Sequence, residues 1–170
     1  MTAVVIPTRD LVLMPGMLRV VSIGRPASVA AIDLHADQGV LLVAIPQTDP
    51  DDDAPLLTEL PDVGCVAQLL RVTRLPDGTL RVLLEGQERV RRTSSIRKED
   101  GVLRCEIEPL GSVMRDPVSL GAEARELGEL HMELSRQYSL SPTEHWTLAA
   151  SADHPEHLID QSLTLSLIHI

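Results

Sequence analysis

The chain has 170 residues, 44% of them hydrophobic and 24% charged, which fits one folded domain with at most a small second unit and excludes a disordered composition. Its net charge of −10 makes nucleic-acid backbones and anionic membranes poor partners at long range. An aromatic content of 1% removes most of the stacking platforms on which single-stranded nucleic acids are held, and it leaves Leu, Val, Ile, Ala and Met to build the core.

Short β-type segments dominate from residue 3 to about 110. "AVVIP" and "DLVLMPGMLRVVSI" are rich in branched residues, and Pro15-Gly16 inside the second predicts a bend, because proline cannot sit in a central ladder. "GRPASVAAIDLHADQG" changes to helical period, with Pro26 in the first turn, Val29, Ala30, Ile32 and Leu34 among its apolar positions, and Gly39 as the stop. The apolar run 40–46 reads as a buried strand and the polar, Pro-rich stretch 47–61 as a loop. "GCVAQLLRVTRL" and "TLRVLLEG" flank Pro76-Asp77-Gly78, which is hairpin turn chemistry. "QERVRRTSSIRK" and "VLRCEIEPL" repeat that arrangement around "EDG", with Leu103, Cys105 and Ile107 expected inside and Arg104, Glu106 and Glu108 in water. Strands of this kind with one inserted helix predict a small closed or half-closed β-barrel.

After Pro117 the period becomes helical. "SLGAEARELGELHMELSRQYSL" spaces Leu120, Ala124, Leu127, Leu130, Met132 and Leu134 as an amphipathic helix. Ser141 to Glu144 has capping-box spacing, and Asp153 with Pro155 reads as a third helix start. The final "LSLIHI", residues 165–170, equals the in-frame translation of the transposon-end adapter used in sequencing libraries. It is expected to be a non-native tail, with the natural chain continuing after about Thr164.

Several residues invite sharper readings. His154, Glu156 and His157 could share a helix face as metal ligands, but no third ligand cluster accompanies them, so neither metal nor cofactor is expected. "DPDDDAP" lacks the Gly and the closing Glu of a calcium loop and reads as a solvated loop. Arg89, Arg91, Arg92 and Arg97 could face RNA, yet exposed arginines also deter edge pairing, and no aromatics accompany them. Cys65 and Cys105 have no CxxC spacing and read as buried thiols in a reducing, cytoplasmic setting. Met14, Pro15 and Met17 either close the barrel or offer adaptable apolar surface to unfolded chains. No basic n-region opens the chain, and no run approaches the ~18 apolar residues of a membrane span.

In order along the chain, R-D-x-V-x-x-P-G-M, G-R-x-x-S, L-P-D-G-T and E-G-x-x-R-V resemble the N-terminal domain of bacterial ATP-dependent Lon proteases. The family usually has Phe in place of Met14 and Leu-Arg-Asp in place of Thr8-Arg9-Asp10, both at packing positions. The resemblance implies an α+β fold: a PUA-like β pseudo-barrel with one inserted helix over 1–112, then a small, incomplete helical subdomain over 113–164. It implies recognition of unfolded or damaged protein substrates and self-association through a parent hexamer, ahead of an ATPase module and a Ser-Lys peptidase. Neither module is expected in this chain, because no G-x-x-x-x-G-K-[ST] occurs and the lone lysine, Lys98, stands in a polar turn. Peptide cleavage by this chain is therefore not expected. A stand-alone Lon-domain adaptor or scaffold, and an RNA-binding PUA-like module, are the alternatives.

Overall fold

The computed structural model describes residues 1–96 and 100–111 together with positions 126, 127, 129, 130 and 133. Contacts divide the chain into two units, Met1–Leu110 and Gly111–Ile170. The first contains strands β1 (Thr2–Thr8) and β2 (Leu18–Ile23), helix α1 (Pro26–Gln38), β3 (Leu41–Pro46), a single 3-10 turn at Leu57–Glu59, β4 (Val63–Arg74), β5 (Leu80–Ile96) and β6 (Arg104–Pro109). The five described positions of the second unit are helical. The remainder of the helices read at 113–164, and the tail at 165–170, lie outside the described residues.

The sheet runs β2-β5-β4-β3-β1-β6, and β6 pairs with β5 as well as β1, so hydrogen bonding returns to its start through β5-β4-β3-β1-β6. β1 and β3 are parallel, and the other pairings are antiparallel. Both faces of β1 and β3 are covered. Val4, Ile6, Leu42 and Ala44 join one core cluster with Ile32 of α1, while Ala3, Val5, Val43 and Ile45 join another with Leu57 and Leu60. Burial on two sides explains why the run 40–46 shows no alternation. Each fully buried Leu, Ile or Val adds about 1.5–3 kcal/mol relative to exposure.

α1 has the predicted limits: Pro26 occupies its first turn and Gly39 ends it at φ 65°. Two expectations need correction. Residues 11–14 form no strand; the chain instead crosses toward a turn in which Met17 N–H donates to the Met14 carbonyl. Nor are "TLRVLLEG" and "QERVRRTSSIRK" separate arms, since β5 runs unbroken from Leu80 to Ile96 and pairs with β2 in its first half and β6 in its second. Gly86 is the reason the two findings belong together. It lies under the turn, and a Cβ there would stand 2.0 Å from the Met14 carbonyl oxygen.

Candidate functional site

Residues paired across a ladder share a face, so the register assembles three rows over β4, β5 and β2. They are Gln68-Glu85-Leu18, Arg71-Leu83-Val20 and Thr73-Arg81-Ser22. Between Leu69 and Arg71 the register shifts, so that Leu70 and Arg71 oppose Leu83 together, as a β-bulge does. The opposite face of the same strands carries Leu80, Val82 and Leu84, all fully buried. Burial of that face fixes the register and turns the other outward. Val20 is 63% exposed, Leu70 45% and Leu18 40%, with Leu83 half-buried among them. This apolar face with Arg71 and Arg81 at its margin is the candidate contact surface.

The Met14 turn lies beside it in sequence but is largely turned inward. Gly16 adopts φ 74° after Pro15, the geometry of a type II turn, and Gly16 N–H donates to the Gly86 carbonyl while Gly86 N–H donates to that of Met17. Met17 and Pro15 are buried, and Met14 is half-buried against the core, so of the three Met14 keeps surface for a partner.

Arg92 and Arg104 of the central segment are committed to structure. Arg92 spans the 3-10 turn, donating to the Leu57 and Leu60 carbonyls at 2.6 and 3.0 Å and to Asp62 at 2.6 Å. Arg104, expected in water, is buried and forms a two-pronged pair with Asp100, at 2.7 Å on each side, which raises its pKa. Leu103, expected inside, is half-buried. Arg25, from the Gly-Arg-Pro segment, donates to Gln47 Oε1 and to the Asp52 carbonyl, and Arg9 pairs with Asp53, so the acidic loop is tied down from beneath. Burial first, and then the Arg9 charge, lower the Arg25 pKa. Arg97 and the His154-Glu156-His157 group lie outside the described residues. Among the described residues no group of three or more His, Cys, Asp or Glu side chains could hold a metal ion.

Cys65 and Cys105 are free and buried, and burial pushes the Cys105 thiol up to about 11. No described helix is long and apolar enough to cross a membrane.

Sequence reasoning missed the outward face of β2, β4 and β5. A signal was present in "LRVVSI", which carries more apolar residues than a one-sided strand needs. Leu70, by contrast, could not be placed without knowing the bulge.

Residues 2–168 match the family model described as the ATP-dependent protease La (LON) substrate-binding domain. A Lon protease of Xanthomonas oryzae pv. oryzae is 35% identical over 159 residues, which is 92% of this chain and 18% of that protein. The Lon protease of Escherichia coli K12 is 36% identical over 87 residues, 51% of this chain and 11% of that protein. The chain thus spans less than a fifth of these relatives. Among solved structures, the N-terminal domain of a Mycobacterium avium complex Lon protease superposes with a TM-score of 0.71 at 20% identity, covering 95% of this chain and 81% of that one. A Lon N-terminal domain protein from Xanthomonas campestris gives 0.54 at 17% identity, covering 96% and 98%. The mostly-sheet fold with one helix in the first unit is therefore a Lon N-terminal domain fold.

Proposed function

The chain belongs to the family of ATP-dependent protease La (LON) substrate-binding domains, and from that we propose that it captures unfolded or damaged polypeptide for a separate ATP-driven serine protease module. It has no catalysis of its own in this reading, and it helps organise the parent hexamer in the cytoplasm. The supporting observation is the outward apolar face of Leu18, Val20, Leu70 and Leu83, since unfolded chains differ from folded ones chiefly in exposed apolar side chains. Met14, half-buried in the neighbouring turn that Pro15 and Met17 shape, is a further proposed contact. We read the returning strand order as a PUA-like pseudo-barrel, and residues 113–164 as a helical subdomain beyond it.

One patch without oligomeric avidity leaves little net free energy after the costs of association, so the isolated chain binds weakly. The test is titration of a fluorescently labelled, reduced and carboxymethylated protein onto the chain. Val20→Asp combined with Leu70→Asp lowers the affinity at least about tenfold while the thermal midpoint holds, because both side chains already face water. Absence of saturable binding by the unsubstituted chain up to about 1 mM, an affinity near −4 kcal/mol, would sink the reading.

A further inference from the structure

The edge of β2 turned away from β5, which no described strand pairs, carries an inference that rests on polypeptide capture as the function and deepens it, by naming how the polypeptide is gripped. Among the described residues β2 has one ladder partner, β5, and that ladder runs from Leu18 to Ile23 without a register shift. The bond from Gly86 N–H to the Met17 carbonyl sets the alternation. Arg19, Val21 and Ile23 therefore direct their amides toward β5, and Leu18, Val20 and Ser22 direct theirs away. In keeping with this, the Leu18 carbonyl accepts a hydrogen bond from Arg19 Nη1 at 3.1 Å. Folded proteins usually blunt an edge with charged side chains, proline or a bulge; β2 has neither proline nor a register shift, and Arg19 is its one charged residue.

A cleft of about 600 Å³ lies along this edge, walled by residues 6–11 and Arg25 on one side and by Arg19 to Gly24 on the other. Its charged lining is Arg9, Asp10, Arg19 and Arg25; Arg9 already pairs with the exposed Asp53 and Arg25 donates to Gln47 and the Asp52 carbonyl, so an incoming carboxylate would share these cations with the acidic loop. The strand's two faces thus differ. Leu18 and Val20 stand exposed on the outward face, Val20 also reaching the cleft, while Arg19 on the other face belongs to its cationic lining.

We propose that an extended polypeptide segment with alternating apolar and acidic residues adds to the open edge of β2 as a further strand. Its apolar side chains lie beside Leu18 and Val20, and its carboxylates enter the cleft with Arg9, Arg19 and Arg25. Main-chain hydrogen bonds make such capture tolerant of sequence, and the alternation sets its preference.

The probe is a labelled, acetylated peptide of about eight residues alternating valine and glutamate, its binding to the full chain measured by fluorescence anisotropy. Methylating one alternate set of its amides, the valine set for antiparallel addition, costs about tenfold or more in affinity, whereas methylating the other costs less than about threefold. Val20→Pro removes an outward amide without touching the β5 ladder and costs about tenfold, while Val20→Thr stays within about threefold. Replacing the glutamates by lysine weakens binding by at least about threefold at physiological salt. If both methylated peptides bind like the parent, strand addition is wrong, even though the apolar-face reading stands. If the parent peptide does not saturate while the carboxymethylated unfolded protein does, the edge is likewise unused, and failure of both removes the broader reading too. A dimer of this chain that Val20→Pro dissolves and the peptide cannot displace would assign the edge to a second copy instead. Should Val20→Pro unfold the chain, the methylated pair decides alone.

Discussion

Gly86 is a glycine because another part of the backbone occupies the space a side chain would need. A methyl group there would meet the Met14 carbonyl oxygen at 2.0 Å, so Gly86→Ala must push the turn off β5. We expect it to cost about 3 kcal/mol or more, read as a lowered midpoint in urea. Gly16→Ala, which forces an L-residue to φ 74°, should cost about 1 kcal/mol from backbone strain. Equal costs would show that the turn is not seated on β5. Cys105 offers a second check at this scale. Its folded pKa lies near 11, above the ordinary 9.0, because burial disfavours the thiolate. The unfolded chain therefore ionises first as pH rises, so the thiol's contribution to stability is intact below pH 9.0 and is lost between there and about 11. In the native state at pH 8, alkylation of Cys105 should proceed only as fast as the fold opens. A rate matching that of an unfolded thiol would contradict its burial.

The elements divide by how locally their instructions are written. α1 was legible because Pro26 and Gly39 bound it within a single stretch of sequence, and the 76–78 turn was legible because Asp77 accepts the Thr79 amide at 2.9 Å and Gly78 supplies φ 86°. β5 was not legible as one strand, since the reason it continues through Gly86 is a turn some 70 residues earlier, and no window around Gly86 contains it. Arg104 was misplaced for a related reason. Alternation assigns a face, but the pair with Asp100 makes burial tolerable for a charge. The outward apolar face needed both the register and the bulge at Leu70, so it could not be read before the pairing was known. Among the loops, 47–61 is held at its end by Arg92, whose side chain is only 10% exposed. Arg92→Ala frees the Leu57 and Leu60 carbonyls and should cost about 2–3 kcal/mol. An unchanged urea midpoint would mean that the 3-10 turn holds itself.

Across the whole molecule, Met1–Leu110 forms a unit with its own core, and Tyr138 and Trp146, the chain's only aromatic residues, fall outside it. A truncation ending at residue 111 should therefore unfold cooperatively by far-ultraviolet circular dichroism, although it has no tyrosine or tryptophan absorbance by which to monitor it. A broad, non-cooperative melt would show that the unit depends on residues 112–170 for its stability.

The pairing of β1 with β6 joins Thr2 to Glu106 and so links nearly the first residue of this unit to nearly its last. On a ribosome adding roughly 5–20 residues per second, β1 must wait on the order of 5–20 s for that partner to be made. During the interval "AVVIP", a strand buried on both faces in the finished protein, lacks one neighbour it needs. A domain whose family is named for substrate binding thus passes through its own synthesis with an apolar strand edge open to capture.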